Sequence, residues 1–203
     1  MKKIILLGSG GQAKSCIEVI NSKKLFKVSG LITNSKEKNF QNIKILGDNN
    51  YLENLKNKRK INLHIAIGFI SSPKLRIKLF FNFKKMNFKF PIIIAKSAIV
   101  SKNSNILDGT IVHHGAFINN GARIGFNTII NSLAVIEHDV EIGNNCHVST
   151  GAILNGDVVV GDNTFIGSGA KVKQGVKIGK NCIIGMGVNL KKDLKNNTKI
   201  TTW

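Results

Sequence analysis

From Val100 onward a large aliphatic residue recurs every six positions, through Ile106, Val112 and Ile118 to Leu190, and each of the sixteen positions is Val, Ile or Leu. Two residues before each stands a small or β-branched residue, among them Ala98, Ala116, Ala122, Thr128, Cys146 and Ala152. A period of six fits neither the 3.6-residue helix nor the alternation of a half-buried strand. It fits a solenoid in which every flat face uses one hexad. The aliphatic residue fills the interior, and the small one also points inward near a corner. Glycine or Asn at the corners, as in Ile142-Gly-Asn-Asn and Val160-Gly-Asp-Asn, supplies unusual backbone angles. Three hexads close a triangular coil, so residues three hexads apart stack at about one strand spacing, ~4.8 Å. Residues 98–190 are therefore expected to form a left-handed parallel β-helix; a β-sandwich would not keep so strict a period.

The first half reads differently. Residues 3–7, apolar from Ile4 to Leu7, read as a buried strand that enters Gly8-Ser-Gly10-Gly11-Gln-Ala13, and Ala13, Cys16, Ile17 and Ile20 then fall at helical spacing. Strands are expected at 28–33 and 63–68, helices at 51–57 and 74–86, and an extended lead-in at 88–94. This βαβαβ order implies a small parallel sheet with helices on its faces. The chain divides into a Rossmann-like α/β domain at 1–95 and the β-helix at 96–203. Gly8-x-Gly10-x-x-Ala13, between strand and helix, matches the dinucleotide fingerprint, in which backbone N–H groups approach a pyrophosphate. A redox cofactor asks for an acidic residue after the second strand. Thr33-Asn34 stands there, so a nucleotide-sugar pyrophosphate fits better than NAD.

Charge is unevenly placed. Residues 1–97 hold 20 Lys+Arg against 4 Asp+Glu, net +16, whereas 98–203 hold 10 against 7, net +3. A basic half could attract phosphates, nucleic acid or an anionic membrane face. Aromatic residues do not interleave with the basic ones as stacking platforms, which argues against nucleic acid. Joint richness in Lys, Asn and Ile assigns most of the excess to compositional bias. No run of 18 apolar residues exists, so no membrane span is expected. The early apolar run is too short for a signal peptide, and a cytoplasmic location is expected. Cys16, Cys146 and Cys182 are odd in number and far apart, so they read as small buried residues rather than a disulfide frame or metal cage.

Among five histidines, His64 reads as packed and satisfied in an apolar strand, and His113 and His114 as surface residues at a corner. His138 lies two places after inward Ile136, so it projects outward at a turn. Its neighbours one coil away are Asn120 and Gly156. A histidine beside Asp139, facing a glycine with a free backbone N–H, has the form of a general base with an oxyanion donor. A zinc site would need three converging histidines, and His113, His138 and His147 occupy different hexad phases. A non-catalytic scaffold would leave His138 dispensable.

The glycine loop, Val135-Ile-Glu-His-Asp-Val-Glu-Ile-Gly143 and Cys146-His-Val-Ser149 together resemble one branch of the hexapeptide-repeat acyltransferases. That branch is the family of bacterial sugar acetyltransferases that includes sialic acid O-acetyltransferases and N-acetyltransferases of nucleotide-linked 4-amino sugars. The resemblance runs over nearly the whole chain. It implies an acetyl-CoA-dependent homotrimer without a metal, with His138 as general base, Asp139 tuning it and Gly156 offering its amide to the oxyanion. His147 would lie near the thioester, and acetyl-CoA along Gly167, Ser168, Gly185, Met186 and Gly187, between two subunits. Gly8, Gly10, Gly11, Asn34 and Gly68 would face the nucleotide sugar, with Arg76 on its phosphates. The amino group of a nucleotide-linked sugar is the preferred acceptor, and O-acetylation of a sialic-acid-like sugar the alternative. The sequence departs from the family at Gln12, where His is common, at Thr33-Asn34, where an acidic pair is frequent, and in a tail lacking Gly-x-Pro-Ala-Lys.

Overall fold

The computed structural model describes residues 1–201. Its first half contains β1 (Lys2–Leu7), α1 (Gly11–Lys23), β2 (Phe26–Ile32), β3 (Asn39–Phe40), β4 (Ile43–Gly47), α2 (Asn49–Glu53), β5 (Asn62–Ile65) and α3 (Lys74–Lys85). The sheet order is β3-β4-β2-β1-β5. All pairings are parallel except β3 with β4, an antiparallel hairpin. That hairpin is absent from the sequence expectation, which foresaw a wholly parallel sheet. Its Asn- and Lys-rich residues carry no clear period, so the tertiary edge decides it. α1 forms as its spacing predicts, burying Ala13, Cys16, Ile17, Val19 and Ile20, and ends at Lys24 in the left-handed region.

β1 has β2 on one side and β5 on the other, so the chain order reverses there. Ligands of open α/β sheets bind in the crevice beyond the carboxyl ends of strands at such a reversal. Gly8 follows β1 and Gly68 lies just past β5, so the fold puts both at the lip of that crevice.

The second half is the expected β-helix. Two-residue strands stack in three parallel sheets. One face, here the first, carries Ile99–Val100, Phe117–Ile118, Val135–Ile136 and their successors. The second carries Asn105–Ile106, Arg123–Ile124, Glu141–Ile142 and onward, and the third runs from Ile93–Ile94 through Ile111–Val112 and His147–Val148 to Lys199–Ile200. The inward aliphatic residues and their small partners form one continuous core, from Val112 to Leu190.

Two details sharpen the repeat. The glycine directly after the aliphatic residue is not the left-handed one. It is there because coils approach closely: a Cβ on Gly125 would sit 2.5 Å from the Gly143 carbonyl carbon. The left-handed residue comes two places later. From Gly109 to Gly187 that place is Gly, Asn or Asp at every hexad except exposed Leu133, the residue types that tolerate positive φ most readily. The solenoid also continues past Leu190. Lys199–Ile200 pairs with Ile183–Ile184, and Leu194 and Ile200 pack on the core. The last coil is two residues shorter than the others, which breaks the period that made its predecessors legible.

The first half packs against the third face. Ile111 and Ile129, outward on that face, join the cluster of α1 and β1, and Phe69 lies against His147 and Phe165.

Candidate functional site

His138 stands on the edge between the first and second faces. The inward Ile136 fixes the strand, and two residues later the chain turns, so the imidazole projects into solvent, its side chain about half exposed. Asp139 occupies the left-handed corner position at φ 60°. That angle brings its carboxylate back onto the ring, and His138 Nδ1 donates to Asp139 Oδ2 at 3.0 Å. This bond raises the histidine above its usual range, helped by the charges of Asp139, Asp157 and Glu137. With Nδ1 donating, Nε2 is left as the free base.

Gly156 lies one coil on, directly beneath. A Cβ built there would meet His138 Cε1 and Nε2 at 2.5 Å, so the ring rests over the glycine and leaves no room for a side chain. The Gly156 N–H donates to no partner among the described residues, while its carbonyl accepts from Gly175 at 3.0 Å. The coil-to-coil ladder holds the group in register: Asp139 N–H donates to Asn120 O, and Asp157 N–H to His138 O. A base, its orienting carboxylate and an idle amide thus share one edge. Among the described residues, His138, Asp139 and Asp157 also form the group able to bring three potential ligand atoms within 4.8 Å of one another.

The residues expected around acetyl-CoA collect on another edge, between the third and first faces. Gly167, Ser168, Gly185, Met186 and Gly187 stack in successive coils, with Gly187 N–H donating to Ser168 O and Ser168 Oγ bonded to Ser149 Oγ at 2.9 Å. Met186 is exposed. Within one protomer this edge does not meet His138. The two edges are the two borders of the first face.

The glycine loop lies in the crevice as expected. A side chain on Gly8 (φ 113°) would strike Ile67 at 2.6 Å and the Ala66 carbonyl at 3.0 Å, whereas Gly10 and Gly11 border open space at the start of α1. Thr33 Oγ1 bonds Ser9 Oγ at 2.9 Å, and exposed Asn34 follows at the end of β2. Gln12 reaches across from α1, its side chain beside Gly68, and its amide nitrogen meets His113 Nε2 at 3.2 Å.

Three expectations are corrected at the seam between the halves. Arg76 is buried, 1% exposed, so it does not present its guanidinium to phosphates. Its two terminal nitrogens donate to the carbonyls of Ile65, Ile67 and Asn127 and to Asn127 Oδ1, and burial lowers it to about 10. His113 is not on the surface but buried beneath Gln12, and burial brings it down to about 4. His64 is packed but unsatisfied, because neither ring nitrogen has a partner among the described residues, and burial takes it to about 3. His147 lies in the same seam, on the third face and opposite the His138 edge. Its Nδ1 donates to Phe69 O at 2.9 Å, and burial lowers it to about 4.

Sequence reasoning missed the pairing of Gln12 with His113 and the role of Phe69. A signal existed for the seam. The outward positions of the third face read Ile111, Ile129, His147, Phe165 and Ile183, whereas those of the second read Asn105, Arg123, Glu141, Val159 and Lys177. A covered face is written in its outward residues.

Comparison with known proteins adds to this geometry. The PglD N-terminal domain profile matches residues 3–83, and the bacterial transferase hexapeptide profile matches 121–156 and 157–192. No curated protein matches the chain by sequence at a significant level. The acetyltransferase domain of PglB from Neisseria gonorrhoeae superposes with a TM-score of 0.93 at 23% identity, covering 99% of this chain and 97% of that one. The same domain is known in complex with acetyl coenzyme A, at 22% identity and a TM-score of 0.93, with 98% and 96% covered. PerB from Caulobacter crescentus, in complex with CoA and GDP-perosamine, is 30% identical, with a TM-score of 0.90 and coverage of 98% and 93%.

Proposed function

The chain belongs to the hexapeptide-repeat sugar acetyltransferases with a PglD-type N-terminal domain, and from that premise we propose that it acetylates the amino group of a nucleotide-linked 4-amino sugar. It is an acetyl-CoA-dependent enzyme. The observation that carries the finer reading is the His138–Asp139–Gly156 edge. The acceptor is assigned from the open glycine crevice at the strand reversal and from the GDP-perosamine bound by PerB.

The reaction proceeds by direct transfer. The sugar amine attacks the thioester carbonyl, and His138 Nε2 takes the proton that the nitrogen loses. Asp139 holds Nδ1–H and stabilises the imidazolium. The Gly156 N–H faces the oxyanion of the tetrahedral intermediate. Collapse breaks the C–S bond, and the imidazolium returns its proton to the departing thiolate, which gives CoA and an N-acetylated sugar. Gly8, Gly10, Gly11, Asn34 and Gly68 hold the nucleotide end of the acceptor, while Gly167, Ser168, Gly185, Met186 and Gly187 hold CoA. His147 stands within the wall between the crevice and the CoA edge. In the division into 1–95 and 96–203 the first unit takes the acceptor and the second the acetyl donor, with Ile93–Ile94 of the first already paired into the β-helix.

This assignment requires a trimer. The outward residues of the first face are apolar over four coils, Ile99, Phe117, Val135 and Ile153, and Ile99 is 65% exposed. A neighbouring subunit covering that stripe would bring its CoA edge beside the His138 edge, since the two edges border the same face. To test the activity, the protein is mixed with acetyl-CoA and each of a panel of UDP- and GDP-linked 4-amino sugars and free sialic acids, and thiol release is followed. Release with an amino sugar is expected. Release with sialic acid alone would move the assignment to O-acetylation, and no release with any acceptor would sink it.

A further inference from the structure

Part of the positive charge of the N-terminal half lines a concavity. At the amino end of the sheet a cavity of about 650 Å³ opens, and Lys2, Lys3, Lys60 and Lys89 line it together with Tyr51 and Leu55. The four lysines are exposed, no acidic residue is among the lining, and none of the four has a carboxylate within 4.0 Å among the described residues. A second concavity of about 480 Å³ shares Leu55 and Lys60 and adds Lys58 and Arg59. Lys58 Nζ donates to the Glu53 carbonyl at 2.7 Å. Six cations from three stretches of chain thus line two adjoining depressions that share Leu55 and Lys60.

Like charges gathered without counter-charge repel one another, and a focused positive potential over a low-dielectric floor attracts an anion. Lysine ammoniums bind phosphate as point charges. The cavity has the volume of a small-ligand site. Tyr51 is its only aromatic lining residue, which does not make the stacking row that a nucleic acid strand needs. It lies at the far end of β1 from Gly8, five residues away or roughly 16 Å, and so stands apart from the crevice of the proposed acceptor site.

We propose that this cavity is a second anion site, taking a ligand that carries two or more clustered phosphate charges. Its source is either a free diphosphate or a phospholipid headgroup, and the two are separable. Inorganic pyrophosphate is titrated into the full chain by calorimetry at about 50 mM salt. In parallel the protein is sedimented with vesicles of phosphatidylcholine containing cardiolipin, whose headgroup carries two phosphates, or of phosphatidylcholine alone. Binding of pyrophosphate identifies a free diphosphate, and binding to the cardiolipin vesicles alone identifies a headgroup. Lys3→Glu/Lys60→Glu/Lys89→Glu is expected to weaken binding more than ~100-fold, from about 1 kcal/mol for each lysine. Lys36→Glu/Lys38→Glu/Lys44→Glu makes the same change in net charge near the β3–β4 hairpin and should stay within about threefold. Acetyl transfer should be unchanged in both. If circular dichroism finds the reversal unfolded, the three Lys→Gln changes take its place, with a loss of about 100-fold. Binding of neither probe, or equal loss in the control variant, would overturn the site. So would collapse of acetyl transfer in a folded cavity variant, because the cavity would then belong to the acceptor site.

Discussion

His138 and His147 lie nine residues apart in sequence and in opposite settings. His138 stands on an open edge, and a carboxylate raises its affinity for protons. His147 lies in the seam under Phe69, and burial lowers it to about 4, together with His113 at about 4 and His64 at about 3. The same residue type is poised to exchange a proton in one place and held neutral in the other. The seam adds a buried guanidinium, Arg76, with carbonyl and amide oxygens and, among the described residues, no carboxylate for partners. One region is arranged for chemistry and the other for joining two halves. The contrast predicts that changes at the edge cost rate, and changes at the seam cost stability.

The largest effect is expected at the base itself. His138→Ala should lower the rate of CoA release about 10²- to 10⁴-fold while the circular dichroism spectrum is unchanged; a retained rate would erase the contrast. Gly156→Ala should come next, at about 100-fold, since its methyl occupies the place of the His138 ring and the backbone there needs no positive φ. At the seam, Arg76→Met should leave its carbonyl partners without donors and reduce stability by roughly 3 kcal/mol in urea unfolding.

The seam also makes acid sensitivity predictable. Unfolded histidines titrate near 6.5, and the folded seam holds its three well below. The unfolded chain therefore binds more protons in that window, and stability is complete above about pH 6.5 and is lost as pH falls toward about 4. Each histidine contributes a slope of up to roughly 1.4 kcal/mol per pH unit. A urea midpoint that did not fall between pH 7.5 and pH 5 would contradict this. The smallest effect is expected for Asp139→Asn. Without the carboxylate the His138 affinity for protons drops, so the acid limb of the pH–rate profile should move to lower pH, with less than about tenfold loss at pH 8. An unmoved limb would detach Asp139 from the base.

Much of the edge was legible in the chain. The hexad period says that Ile136 points in and that His138, two places on, points out. Stacking by three hexads sets Gly156 against His138, a pairing that no local motif contains. The seam was not legible in this way. Arg76 reads as a cation on an amphipathic helix, and His113 as a corner residue beside His114, because neither pattern reveals what lies across the gap. The outward apolar residues of the third face hinted at a cover, but not at which side chains would meet it.

The sequence by itself determined the solenoid, its inward and outward residues and the outline of the glycine loop, because each depends on contacts repeated at a fixed spacing along the chain. Only the tertiary structure decided that Gly8 and Gly68 share one crevice, that Arg76 is a buried strut, and that the final coil is short yet closed. The seam braced by Arg76 depends on pairs such as Arg76 with Asn127, Gln12 with His113 and Phe69 with His147. Such pairs are far apart in the chain and join one half to the other once, without repetition. A repeated contact leaves a period, and a single long-range contact leaves none.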